Sequence, residues 1–200
     1  MDILSDDNIK YVLFPRYIGT SNIDYIVYIL DKDDIKEIYD NLKSILDRCK
    51  EEIKQGNKIL GLSEVTGPGV TVTLSDSKKD ISSALDPSSL VVHDLDVLSV
   101  INELQNAGAE AISINDQRIV PTTGIICGGN IIDINKEKVG APFVIKAIGL
   151  PEQLAALSRP GGYLETLKGY SIGVELKKSN NITIPKYSGT LTYNYAKTSK

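Results

Sequence analysis

The sequence has few of the residues and motifs that most enzymes need. His93 is its single histidine, which excludes a histidine-rich zinc site and leaves one general base of that type. No Walker A loop occurs, which excludes nucleotide phosphate binding by a P-loop. No Gly-x-Ser-x-Gly elbow occurs either, which excludes the serine nucleophile of the α/β-hydrolases. Gly67 and Gly69 precede a predicted strand instead of joining a strand to a helix, so a Rossmann dinucleotide site is excluded. We expect no cofactor, metal or catalytic residue, which favours a protein that is not an enzyme.

The chain also lacks a net positive charge. The formal net charge is -4 and the pI is about 5.1, so no global positive field attracts nucleic acid or an anionic membrane. The C-terminal segment is a local exception, because its lysines face only Glu175: Lys168, Lys177, Lys178, Lys186, Lys197 and Lys200. Lysines in this arrangement are typical of a solvated strand edge, where they discourage edge-to-edge pairing.

Long apolar runs are missing as well. Stretches such as Tyr25 to Leu30 are far shorter than the roughly 20 residues that span a bilayer. Asp2, Asp6 and Asp7 stand where a signal peptide would carry positive charge. The two cysteines fall in different predicted elements and make no disulfide framework. We therefore expect a soluble chain, either cytosolic or derived from a protein whose membrane anchor has been trimmed.

The first clear element is an amphipathic helix predicted for residues 31–62, within a chain whose 200 residues suit one main core. Asp31 is the expected N-cap, and Asp33 and Asp34 in the first turn complement the helix dipole. Apolar residues recur at steps of three and four: Ile35, Ile38, Tyr39, Leu42, Ile45, Leu46, Cys49, Ile53 and Leu60. This stripe is expected to pack on the body of the protein or, as in a coiled coil, on another copy. Residues 1–30 stay unassigned.

Residues 65–197 are predicted to form one α+β domain. A turn at Gly67, Pro68 and Gly69 opens it. Strands are expected at Val70–Leu74, Ala111–Ile114, Pro142–Ile148, Ser171–Leu176, Asn181–Ile184 and Leu191–Tyr195, with a hairpin or a bulged strand at Thr123–Ile134. Helices are expected from the N-cap Asp94 to Gly108 and from Pro151 through Leu157, with a break at Pro160 to Gly162 and a short turn through Leu167. This order predicts a ferredoxin-like, split βαβ fold, with an antiparallel or mixed sheet and two helices on one face.

Two clusters near His93 are candidates for chemistry. His93, Asp94 and Asp96 could hold a divalent cation, but capping of a helix by the two carboxylates is the stronger interpretation. Cys127 could act as a nucleophile activated by His93 if the two segments converged in the fold. A cysteine in an apolar run is far more often a small buried hydrophobe, so this alternative is weaker.

A polar loop after the strand Ala111–Ile114 is the third candidate. Its expected binding residues are Asn115, Gln117, Arg118, Thr122 and Thr123. The guanidinium of Arg118 offers a planar fork for carboxylate or phosphate groups. The alternative is a turn between two strands, with Asn115 and its neighbour Asp116 as turn formers and Arg118 solvated.

Several segments carry a family resemblance. They are VHDLDVLSVINELQNAGAEAISINDQR (Val92 to Arg118), the run from Thr123 to Gly129, PFVIKAIG (Pro142 to Gly149) and GVEL (Gly173 to Leu176). Together they resemble the bacterial YlxW/YlxX-like family, which is a domain of unknown function, over about Leu60 to Ala196.

The resemblance implies a place at the cell envelope. Members of the family look like single-pass membrane proteins, with a membrane helix, a coiled-coil-like stalk and an extracytoplasmic domain, and several are encoded beside cell-division genes. This sequence departs from the family in having Asp116 where glycine is usual, and in having no membrane helix at its start. The second departure favours trimming, because the stalk is retained.

These observations lead to two functional hypotheses. The first is a non-enzymatic, envelope-associated interaction or scaffolding module that binds a protein partner or itself, does not bind nucleic acid, and reaches the membrane only through an anchor absent from this chain. The second is a small-ligand-binding or hydrolytic domain that uses the loop near Asn115 to Arg118, with Cys127 or His93 beneath it.

Overall fold

The computed structural model describes residues 10–18, 22–30, 32–80, 86–129, 131–197 and 199. The chain divides into two compact units between Gln55 and Gly56. The first unit contains a β-hairpin, in which β1 (Lys10–Ile18) pairs antiparallel with β2 (Asn22–Leu30) without a break in register. Both strands are rich in β-branched and aromatic residues, which favour an extended backbone. The hairpin occupies most of the region that sequence patterns left unassigned.

A long helix, α1 (Lys32–Ile59), follows the hairpin. Asp33 and Asp34 lie in its first turn and Lys58 in its last, which suits the helix dipole at both ends. The expected cap, Asp31, lies outside the described residues. Ion pairs along the polar face have exposed partners, so each contributes less than about 1 kcal/mol. Among the described helices, none has both the length and the apolarity to cross a bilayer.

The second unit contains α-helices and two antiparallel sheets. In chain order its elements are β3 (Val65–Ser75), α2 (Asp94–Asn106), β4 (Ala111–Ile114), β5 (Gln117–Arg118), β6 (Ile125–Cys127), β7 (Ile132–Ile134), β8 (Glu137–Val139), β9 (Phe143–Ile148), α3 (Pro151–Leu154), α4 (Tyr163–Gly169) and β10 (Gly173–Ile184). One sheet has the order β10–β3–β9–β4–β5, with every neighbouring pair antiparallel, so β3 and β4 run parallel on either side of β9. The other has the order β6–β7–β8. The predicted α+β class is confirmed.

One face of the five-stranded sheet packs against the helices. Side chains two residues apart share a face of a strand, and on this face the buried ones are Val70, Val72, Leu74, Phe143, Ile145 and Ala147. They share one core with residues of the helices, among them Leu104, Leu154 and Leu164. A second, smaller apolar cluster contains Ala111, Ile148, Ile182 and Ile184, with Val65 packed against it. Because Ala111 and Ile148 alternate with core residues of β4 and β9, this cluster lies on the opposite face.

The first strand of the body begins earlier than predicted. The expected turn residues Gly67, Pro68 and Gly69 all lie inside β3. The register of β10 shifts between Ser179 and Ile182, which leaves Pro68 beside a bulge where the ladder needs no N–H donor. The carbonyl of Pro68 accepts a 2.9 Å hydrogen bond from the amide of Gly149. The prediction of a turn is wrong because the bulge in the neighbouring strand accommodates the proline.

Three other element boundaries also differ from the predictions. The two strands expected at Ser171–Leu176 and Asn181–Ile184 form the single strand β10, which the bulge bends without ending it. The strand expected at Leu191–Tyr195 is absent, since that described segment pairs with no other strand. Helix α2 begins at Asp94 with His93 as its N-cap, so Asp94 is the first helical residue instead of the cap.

Candidate functional site

Helix α1 carries a stripe of exposed apolar side chains. Its members are Ile38, Tyr39, Leu42, Ile45, Leu46 and Ile53, and their exposed fractions range from 47% to 64%. Ile38, Leu42 and Ile45, followed by the exposed Cys49, alternate at steps of four and three residues, which is the spacing of a coiled-coil seam. An apolar stripe of this extent is normally covered by a partner surface.

The polar loop after β4 is a tight hairpin turn. Asn115 and Asp116 have φ angles of 44° and 64°, which suit the left-handed positions of a two-residue turn between β4 and β5. The side chain of Asn115 accepts a hydrogen bond from the amide of Val144 (2.7 Å) and donates one to the carbonyl of Pro142 (3.2 Å). The carboxylate of Asp116 pairs with Lys146 at 2.7 Å. The interpretation of Asn115 and Asp116 as turn formers is confirmed.

The other predicted loop residues lie in different surroundings. Gln117 is half-buried in β5, and Thr122 is exposed. The hydroxyl of Thr123 accepts a 2.9 Å hydrogen bond from the amide of Val120, which closes the turn after β5. Thr123 therefore has a local structural role.

Arg118 is buried, with only 4% of its surface exposed, so the alternative in which it is solvated is wrong. Its Nη1 atom donates to the carbonyls of Ser63 and Pro185, both at 3.4 Å, which is long for such bonds. No carboxylate of the described residues lies within 4 Å of the guanidinium, and Nε and Nη2 have no hydrogen-bond partner there. Burial lowers the pKa of Arg118 from its usual value.

A cleft of about 500 Å³ lies beside Arg118. Its apolar lining comes from Ile59, Val65, Ala111 and Ile148, and its polar lining from Lys58, Thr66, Glu110 and Arg118. The volume is within the range of small-molecule sites. Sequence patterns do not reveal this site, because its walls come from five separate stretches of the chain.

Ser113 adds a second unpartnered polar group next to Arg118. The two residues are directly opposite in the pairing of β4 with β5, so their side chains lie on the same face of the sheet. Ser113 is fully buried, and its hydroxyl has no hydrogen-bond partner in the described part of the chain. Buried polar groups without partners are rare in folded proteins. On this face of the sheet, a buried hydroxyl without a partner therefore lies opposite a guanidinium without an acidic partner.

The residues near His93 are engaged in holding helix α2. Asp96 accepts hydrogen bonds from the amide of His93 (2.8 Å) and the hydroxyl of Tyr163 (3.1 Å). Asp94 accepts a 2.9 Å bond from the amide of Cys127, so the two segments do converge. The ring of His93 bonds through Nε2 to the carbonyl of Ser88 (2.8 Å). In the described part of the chain, no three His, Cys, Asp or Glu side chains form a group that could hold a metal ion.

Sequence comparison relates the chain to bacterial proteins of unknown function. The family model described as bacterial protein of unknown function, DUF881, matches residues 52–197. The UPF0749 protein YlxW of Bacillus subtilis is 32% identical over 133 residues, which cover 66% of this chain and 57% of that protein. The UPF0749 protein Rv1823 of Mycobacterium tuberculosis is 32% identical over 133 residues, covering 60% of this chain and 43% of that protein. The chain thus spans about half the length of these relatives.

Two further similarities agree with this result. The UPF0749 protein YlxX of Bacillus subtilis is 28% identical over 167 residues, which cover 76% of this chain and 69% of that protein. The crystal structure of an uncharacterised conserved protein from Mycobacterium tuberculosis matches with a TM-score of 0.60 at 26% identity, covering 74% of this chain and 99% of that one. The chain belongs to the DUF881 family of bacterial proteins of unknown function, the family of YlxW and YlxX.

Proposed function

We propose that this protein is a non-enzymatic interaction module of the cell envelope, in which α1 pairs with α1 of a second copy. The observation that carries the proposal is the exposed apolar stripe of α1. The envelope setting, an extracytoplasmic position and a link to cell division rest on the resemblance to YlxW/YlxX-like proteins. If a membrane anchor preceded α1 in the full protein, both copies would be attached to the same membrane surface at the N-terminal side. This attachment would favour a parallel pair of helices.

The spacing of the stripe supports self-association. In a parallel pair in register, Ile38 and Ile45 take one type of seam position and Leu42 and Cys49 the other. Full burial of one aliphatic side chain stabilises by about 1.5–3 kcal/mol, so the half-exposed stripe leaves several kcal/mol available to an association. Surface charges on the other face, including Lys43 and Lys50, remain in water.

The solution mass, measured by light scattering on the whole chain, tests this proposal. The unmodified protein is expected to be a dimer or a larger assembly. Ile45→Lys places a charge in the seam and should give a monomer, whereas Ser44→Lys adds the same charge on the polar face and should leave the mass unchanged. A monomeric unmodified protein, or equal effects of the two substitutions, would contradict self-association through the stripe.

Cysteine cross-linking tests the parallel arrangement. Facing seam positions bring the two Cys49 residues close enough for a disulfide only if the helices are parallel and in register. Mild oxidation of a Cys127→Ser variant should therefore yield a covalent dimer through Cys49. A dimer by light scattering that gives no covalent product would point to an antiparallel or shifted pairing.

We also propose that the body has a ferredoxin-like arrangement with an added edge strand. Its support is the strand order β10–β3–β9–β4, in which β3 and β4 are parallel, β9 lies between them, and helices follow β3 and β9 in the chain. A crystal structure of the body would test this assignment, and both helical connections should pack on the same face of the sheet.

A further inference from the structure

We propose that the cleft beside Arg118 binds a carboxylate carried on a short apolar group, with the carboxylate held by the free edge of the Arg118 guanidinium. This inference does not depend on self-association of α1. The cleft joins a buried cation, which has no carboxylate partner among the described residues, to an apolar floor.

The burial of Arg118 without an acidic partner favours binding of an anion. Arg118 as a residue is 4% exposed, and burial of a charged side chain is costly unless the charge is paired. The two long bonds from Nη1 to the carbonyls of Ser63 and Pro185 give only weak compensation. A bound anion would supply the missing charge.

The free donors fit a planar acceptor. Nε and Nη2 lie on one edge of the guanidinium, and this edge donates two parallel hydrogen bonds to the two oxygens of a carboxylate. Because Nη1 is already used by carbonyls within the protein, a side-on pair through Nε and Nη2 is the arrangement that remains. The structure thus leaves one bidentate position open.

The other residues that line the cleft determine which group can be attached to the carboxylate. Val65, Ala111 and Ile148 form an apolar wall that suits a short hydrocarbon group. Glu110 also lines the cleft and forms no ion pair in the described structure. Lys58 carries the opposite charge in the same lining, so Arg118 is the net positive charge of the cleft, which suits a monoanionic carboxylate better than a dianionic phosphate. The shape and charge of the cleft therefore favour a carboxylate with an aliphatic tail.

An NMR titration with hexanoate tests the site directly. The Arg118 side chain has its own Nε–H signal, which is identified by its loss in Arg118→Lys. Hexanoate is expected to move this signal and the amide signals of Ala111 and Ile148. Hexanamide, which has the same shape without the charge, should bind at least about tenfold more weakly, as should hexyl phosphate. Equal binding of hexanamide, tighter binding of hexyl phosphate, or no response to hexanoate at about 10 mM would each overturn the proposal.

Two variants separate recognition from folding. Arg118→Lys keeps the charge and loses the fork, so the dissociation constant for hexanoate, followed on Ala111 and Ile148, should rise about tenfold or more. Glu110 is exposed and forms no side-chain bond in the described structure, so Glu110→Gln should leave folding intact. Removal of its charge should tighten hexanoate binding about threefold. Weaker binding after Glu110→Gln, or unchanged binding after Arg118→Lys in a folded protein, would contradict the assignment.

Discussion

Asn115 Oδ1 accepts a 2.7 Å hydrogen bond from the amide of Val144, although the two residues lie 29 positions apart. The same side chain donates to the carbonyl of Pro142. A turn residue thereby fastens the β4–β5 hairpin to the start of β9. The left-handed φ of Asn115 and these two bonds are separate requirements, and substitutions can distinguish them.

The Asn115→Gly and Asn115→Ala variants should lose different amounts of stability. Glycine keeps the left-handed φ at no steric cost, so Asn115→Gly should lower the free energy of unfolding by about 1–2 kcal/mol through the lost hydrogen bonds. Alanine should lose about 1 kcal/mol more, because its Cβ is strained at positive φ. Urea unfolding followed by circular dichroism measures both values. Equal losses would show that the backbone conformation contributes little.

Arg118→Met should raise the stability of the free protein by about 1 kcal/mol. Methionine retains most of the side-chain volume and removes a buried charge without an acidic partner. Ser63 and Pro185 are only partly buried residues, so we expect water to replace Arg118 as the donor to their carbonyls. Thermal and urea unfolding without added ligand measure the change. A large loss would mean that the two long hydrogen bonds outweigh the cost of burial.

Tyr163→Phe should lower stability by about 1 kcal/mol near neutral pH, because Asp96 loses a hydrogen-bond donor. Burial, together with the charge of Asp96, raises the pKa of Tyr163 above its usual range. A raised pKa favours the protonated phenol in the folded state. This contribution is complete below the unfolded pKa of about 10 and is lost as the pH rises through the folded value.

The pH dependence of the stability difference between the unmodified protein and Tyr163→Phe tests the direction of this pKa shift. The gap in unfolding free energy between the unmodified protein and Tyr163→Phe should be constant from about pH 7 to 9 and should narrow above about pH 10. A gap that widens at alkaline pH would show that ionised Tyr163 is preferred in the folded state, against the stated direction.

Gly69→Ala should disrupt the central sheet. A Cβ at Gly69 would stand 1.9 Å from the carbonyl oxygen of Ala147, so β3 and β9 would have to separate locally. We expect a loss of about 3 kcal/mol or more in unfolding free energy, measured with urea. Gly56→Ala is the matched control, because a Cβ at that helical position meets nothing within 4 Å. It should stabilise the chain by about 0.5–1 kcal/mol.

Local patterns were sufficient to predict the elements whose signals lie within a short stretch of sequence. Periodic apolar residues identify α2, from Val97 to Leu104, and alternation identifies the strands around Val72 and Ile145. Asn115 has the chemistry of a turn former in its own side chain. Pro68 has the local chemistry of a turn, and its place inside β3 depends on a bulge in β10, more than 100 residues later in the chain.

The site could be predicted only in part, for the same reason. The fork of Arg118 is visible in the sequence, but its burial depends on Ser63 and Pro185, which lie 55 and 67 positions away. The sequence places Glu110 next to β4 and gives no sign that it lines the same cleft as Arg118. The exposure of the α1 stripe is likewise a property of the folded chain and not of helical spacing.

The first and last strands of the body are neighbours, and the beginning of β3 pairs with the end of β10 through Val65 and Ile184. A pulling force applied to the chain before β3 and after β10 would therefore peel the two strands apart from this end. The backbone hydrogen bonds between them would break one pair at a time. The amide of Tyr187 bonds to the carbonyl of Gly61 at 2.8 Å, just beyond that open end. Arg118 reaches a carbonyl on each side of the same end. Under such a load these bonds would be the first part of the body to be strained, and an anion bound to Arg118 would change how strongly they resist it.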